Sequence, residues 1–248
     1  MTSLNTRNID ETQELMPVPS AKAHAALGEF TVHIFLLLAL YVFVLGWLPS
    51  IKQYLPDDST FLTVPILVIF GAIVAHFMTT SGYPMHTFGI TAMHLGRVTR
   101  DAALYTLPLL AIITAIKLSF VNFSAAHASE RLFNGRQVFE KLGLVQWLAV
   151  VALYCVFTSV QELIVRGGLQ SALQLFLSSR RRHLTAIVVS NVLFAVVHMH
   201  LSPAFALIVF LPGCYWGWMY RRQHHLAGVT LSHMAVGVWF FFVLGPLQ

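Results

Sequence analysis

The sequence predicts an all-α membrane protein: a polytopic helix bundle of about seven transmembrane helices, with short interfacial helices between them. Three observations carry this. Of 248 residues, 57% are hydrophobic and only 10% are charged, whereas an average soluble domain carries about 25% charged residues. The mean hydropathy is +0.72. The apolar residues also run in stretches of about 20, the length that crosses a bilayer as a helix. In hydrocarbon, a backbone must satisfy its own hydrogen bonds. The 15 basic and 10 acidic residues cannot cover a soluble globule of this size. The composition thus excludes an ordinary soluble enzyme, a nucleic-acid-binding domain and a disordered chain. The net charge of +5 reads as loop charge of a membrane protein, not as a nucleic-acid footprint.

Residues 1–29 are polar, with Asp10, Glu11, Glu14 and Glu29 and no apolar signal-like core, and read as a cytoplasmic tail. Residues 30–248 read as one membrane domain. Its expected spans are 30–48, 61–80, 102–121, 145–166, 184–200, 203–220 and 226–247. Pro65 and Pro108 fall early in their spans, where a missing donor costs least. Residues 82–101 form a link containing Gly and Met. Residues 123–143 form a polar segment with a helical look near 136–142. Residues 169–179 (LQSALQLFLSS) are too short to span and read as an interfacial or re-entrant helix leading into Arg180, Arg181 and Arg182. No CxxC pair is present.

Loop charges set the expected orientation. With the N-terminus in the cytoplasm, the inner segments hold Arg7, Lys22, Arg97, Arg100, Arg180, Arg181, Arg182, Arg221 and Arg222. The outer ones hold Lys52, Arg131, Arg136 and Lys141. The positive-inside rule favours this N-in arrangement. Size and tail fit a bacterial inner membrane.

A charge in hydrocarbon costs a few kcal/mol, so intramembrane ionisable residues point to function or to a partner. Lys117, near the outer end of its span, is expected to snorkel. Glu162 is the one acid inside an apolar run, and Arg166 follows four residues later on the same helix face. These two read either as a mutually neutralising pair or as part of a site. His198 and His233 lie in later spans, whereas His33 and His76 read as hydrogen-bonded core residues. A carboxylate and two imidazoles converging from three helices suffice for hydrolysis, with a base, a water-positioning group and an oxyanion donor. Glu162, His198 and His233 are also the only candidate zinc set. HExxH is absent, and no metal or cofactor is expected.

The run Gln161-Glu162-Leu163-Ile164-Val165-Arg166-Gly167 resembles the EExxxR motif of the CPBP family, the CAAX-protease and bacteriocin-processing membrane peptidases. Phe194 and His198 match its FxxxH motif. The stretch from Gly217 to His233 is similar to its last helix pair. The resemblance covers about residues 88–240. It implies a polytopic glutamate-type endopeptidase acting on a membrane-associated protein or peptide. His198 would position water, His233 would stabilise the oxyanion, and Glu162 and Arg166 would be the second acid and its partner. Gln161 stands where the family has its first Glu, and Gly237 where it has an Asn. These departures leave a second reading open: a catalytically impaired member acting as a binding, immunity or scaffold protein. A proton-relaying transporter built on Glu162 is the third. The partners expected are the lipid bilayer and that membrane substrate, with no nucleic acid.

Overall fold

The computed structural model describes residues 20–51, 60–124, 131–135 and 143–245. Among these residues all regular structure is helical. In chain order the elements are α1 (Ala21–Ile51), α2 (Thr60–Thr80), a 3₁₀ turn (Met85–Phe88), α3 (Leu95–Phe123) and α4 (Leu144–Glu162). A π-helical segment (Leu163–Gln170) follows, then α5 (Ser171–Phe176), α6 (Arg182–Val197), α7 (Pro203–Gln223), α8 (Leu226–Gly237) and a π-helical end (Val238–Leu244).

Among the described residues four stretches are long and apolar enough to cross a membrane: Ala21–Val44, Leu95–Phe123, Leu144–Phe176 and Leu226–Leu244. Pro65–Thr80 and Arg182–Val197 are apolar but shorter. Large apolar side chains such as Phe35, Leu36, Phe43, Leu104, Leu107, Val145 and Leu207 are more than half exposed. A soluble protein does not tolerate so much exposed apolar surface, and an integral membrane protein requires it.

Several sequence expectations change. The first helix starts at Ala21, inside the segment read as tail. Residues 169–176 are not a separate interfacial helix, because α4 runs on through the π segment into α5 as one apolar rod of 33 residues, Leu144–Phe176. Gly167 and Gly168 end no helix here. Their missing side chains let α2 close in, since a Cβ at Gly167 would lie 2.9 Å from Met78 Cε and one at Gly168 2.8 Å from Val74 Cγ2. Lys117 does not snorkel. It is 5% exposed, and its ammonium donates to the carbonyls of Leu244 and Gly245, a cation at a helix C-terminus. His33 and His76 are exposed rather than core residues. The helical look near 136–142 falls outside the described residues.

The apolar interior has two parts. One gathers α1, α2, the π segment and α6 around residues such as Phe30, Phe70, Val74, Phe77, Val165 and Phe194. The other gathers α3, α7 and α8 around Ala102, Trp216, Met219, Tyr220 and Val229. Local signals set the later helices. Ser202 caps α7 by accepting from Phe205 N–H at 3.0 Å, with Pro203 at the first helical position. His225 caps α8 through Nδ1, which accepts from Ala227 N–H at 3.1 Å.

Candidate active site

The site grows from the end of α4. Neighbouring helical residues point about 100° apart, so Gln161 and Glu162 must face different surroundings. Glu162 is 1% and Arg166 0% exposed. Arg166 Nε donates to Glu162 Oε2 at 3.1 Å. Both Nη atoms donate to Asn191 Oδ1 at 3.1 Å, and Nη2 also donates to the Gly213 carbonyl at 2.9 Å. Asn191 Nδ2 in turn donates to the Ile187 carbonyl at 2.6 Å. One guanidinium thus fastens α4, α6 and α7. Gly213 has no side chain because a Cβ there would meet Asn191 Oδ1. A buried ion pair is tolerable only when its remaining donors are satisfied, and this one meets that condition.

The other carboxylate oxygen, Glu162 Oε1, accepts from His233 Nδ1–H at 2.8 Å. The His233 ring stacks on Trp216, with centroids 3.9 Å apart, and Trp216 Nε1 donates to Ser232 Oγ at 3.1 Å. With Nδ1–H committed to the carboxylate, Nε2 of neutral His233 carries a lone pair. This is the orienting logic by which a carboxylate fixes a histidine's tautomer and ring plane.

Gln161 faces a different surface. It lines an apolar cavity of about 70 Å³ that also meets His198, Tyr41, Phe70, Val165 and Phe194. His198 Nδ1 donates to the Phe194 carbonyl at 2.7 Å, which leaves the Nε2 lone pair available. Tyr41 closes one end, with Oη donating to the Val197 carbonyl at 2.6 Å and lying 3.0 Å from His200 Nδ1. Glu162, Arg166 and His233 are not among the residues lining this cavity. The expected convergence of Glu162, His198 and His233 is therefore divided. Glu162, Arg166 and His233 form one bonded cluster, and Gln161 with His198 borders a cavity. Phe194 touches both halves, its ring 4.5 Å from that of His198 and 6.2 Å from that of His233. Among the described residues no group of three His, Cys, Asp or Glu side chains is placed to hold a metal. Glu162, His198 and His233 thus do not form a ready zinc site.

Some contributors escaped the sequence reading. Asn191 is a buried amide in an apolar run, a signal visible in the sequence but overlooked beside the charges and histidines. Tyr154 is more surprising. A Cβ on Gly237 would overlap the Tyr154 hydroxyl, so the tyrosine fills the space one turn beyond His233 where a side chain at 237 would project. The π segment also had no sequence signal. Such segments mark functional sites more often than chance, and this one carries Ile164, Val165 and Leu169 to the cavity wall.

The family model for the type II CAAX prenyl endopeptidase Rce1-like proteins matches residues 143–239. No curated protein and no solved structure matches the chain. The matched region runs from the start of α4 into the end of α8 and contains all five residues singled out above: Gln161, Glu162, Arg166, His198 and His233. The model match and the motif series fall on the same region, and over residues 143–239 the chain is similar to the type II CAAX prenyl endopeptidase Rce1-like family.

Proposed function

We propose that the protein is an intramembrane endopeptidase that hydrolyses a peptide bond of a membrane-associated protein or peptide. The observation that carries this reading is the family match over residues 143–239, joined to a cavity bordered by Gln161 and His198. Water held there is oriented by the Gln161 amide and gives its proton to His198 Nε2. The water oxygen then attacks the scissile carbonyl, and collapse of the tetrahedral intermediate breaks the C–N bond as His198 returns the proton to the leaving amine. In its doubly protonated form His233, oriented by the bonded Glu162 and Arg166, donates from Nε2 to the developing oxyanion. The apolar walls of the cavity suit a lipid-like chain beside the scissile bond, so a prenylated CAAX-type peptide is the first substrate to try. In this reading the chain crosses a bacterial inner membrane seven times, with its N-terminus in the cytoplasm, and needs no metal.

One observation favours a second reading. Gln161 borders the cavity where a carboxylate would be the stronger base, and an amide cannot accept a proton in catalysis. A member impaired in this way would bind a membrane partner without cleaving it. The test is cleavage of a prenylated peptide in liposomes by wild type, Gln161→Glu, His198→Ala and His233→Ala. Wild-type cleavage lost in both histidine variants supports the peptidase. An inert wild type with an active Gln161→Glu supports the binding protein. Wild-type cleavage unchanged in both histidine variants sinks the site.

A further inference from the structure

A second cavity, of about 280 Å³, lies between α1 and α2 and shares no lining residue with the first. Glu29 and His33 face it from successive turns of α1, and His76 and Thr80 from successive turns of α2. Phe30 and Phe77 stack against each other in its wall, with centroids 4.3 Å apart. The four polar side chains are exposed. Among the described residues Glu29 makes no ion pair, and no Lys or Arg lines the cavity.

His33 Nδ1–H is spent on the Glu29 carbonyl at 2.7 Å, so neutral His33 presents a lone pair at Nε2. The Thr80 hydroxyl proton is spent on the His76 carbonyl at 2.8 Å, leaving only its lone pairs. The Glu29 carboxylate accepts and cannot donate. The cavity therefore presents acceptors from Glu29, His33 and Thr80, one of them charged, beside the Phe30 and Phe77 rings, and His76 adds one lone pair and one N–H. Its complement is a cation with several donors, and a primary ammonium has three N–H groups. A metal fits poorly, since no three metal-ligating side chains are grouped here among the described residues.

Depth in the membrane selects the source. Exposed Trp47 on α1 suits one membrane interface. About 20 residues back, one hydrocarbon thickness, lies Leu27. Glu29 is then at headgroup level on the other side, His33 a turn deeper, and Thr80 is the last residue of α2. We propose that this cavity binds the ammonium of an aminophospholipid headgroup, that of phosphatidylethanolamine, with Glu29, His33 and Thr80 as acceptors.

The full-length protein in nanodiscs of equal dioleoyl phosphatidylethanolamine and dioleoyl phosphatidylcholine tests this. Retained lipid is measured by mass spectrometry after extraction into mild detergent. The two lipids share acyl chains, and only the first has N–H donors. Wild type is expected to retain phosphatidylethanolamine about tenfold over phosphatidylcholine, the worth of one charge-assisted hydrogen bond. Glu29→Gln is expected to erase the preference, and Thr80→Val to reduce it. His33→Leu reads the same site if Glu29→Gln folds poorly. Equal retention by wild type, or a preference intact in Glu29→Gln or His33→Leu, overturns the proposal. So does displacement of the lipid by soluble phosphoethanolamine, which would assign recognition to a free amine.

Discussion

Gln161 and Glu162 are adjacent in the chain and occupy two different physical environments. Glu162 is sealed in, both oxygens taken by Arg166 and His233, and Arg166 ties the cluster to α6 and α7. Gln161 is half-buried on an open apolar cavity beside His198. A buried carboxylate with both oxygens already bonded is suited to holding structure and orienting a neighbour. A side chain on a cavity wall is free to meet a ligand. A single motif thus divides into a fastening half and a cavity-facing half. The division also reassigns weight, since the lone intramembrane acid is the more structural of the two residues.

The sharpest way to break this comparison is to remove the fastening. Arg166→Ala leaves a buried carboxylate without its cation and should cost about 3–5 kcal/mol, read as a large fall in thermal stability in detergent. Gln161→Ala, on the open side, should stay within about 1 kcal/mol of wild type in the same measurement, and equal losses would erase the distinction. Gln161→Glu should raise peptide hydrolysis by about 10²-fold or more, the scale of a positioned general base, with little change in stability. A rate unchanged by this substitution would mean that the cavity is not where water is activated.

Smaller effects sharpen the picture. Gly237→Asn alone should destabilise by about 1–3 kcal/mol, because the new side chain overlaps the Tyr154 hydroxyl. In a Tyr154→Ala background the same substitution should cost less, and additive losses would show that the two positions do not share one space. The smallest effect concerns pH. His225, in the turn before α8, accepts from Ala227 N–H and must be neutral at Nδ1 to do so. Burial holds its pKa below the usual histidine value. The unfolded chain therefore takes this proton first, and stability is full above about pH 6.5 and falls as pH drops below it. His225→Asn keeps a cap without a titrating group, so its loss of melting temperature between pH 7.5 and 5.5 should be smaller than that of wild type, by up to about the 1 kcal/mol of a cap.

Much of this was legible in the chain. Long apolar runs with few charges specify helices in lipid, because no other backbone arrangement is as easily satisfied there. The i,i+4 spacing of Glu162 and Arg166 makes their pairing readable, since such residues share a helix face. The continuation of α4 past Gly167 and Gly168 was not legible. In sequence a glycine pair signals a break, and only the approach of Val74 and Met78 on α2 shows that the glycines are there for close packing. Lys117 was misread for a similar reason, because its carbonyl partners lie more than 120 residues away in the chain.

The amino-acid sequence by itself determined an all-helical integral membrane protein whose motif series resembles that of a peptidase family, because hydropathy and spacing are local properties of the chain. The tertiary structure alone decided which motif residues meet. It set His233 on Glu162 and Gln161 with His198 on a cavity, and it put Tyr154 into the space beside Gly237. These outcomes depend on how helices distant in sequence rotate and pack, and a residue's position along its own helix does not contain that information.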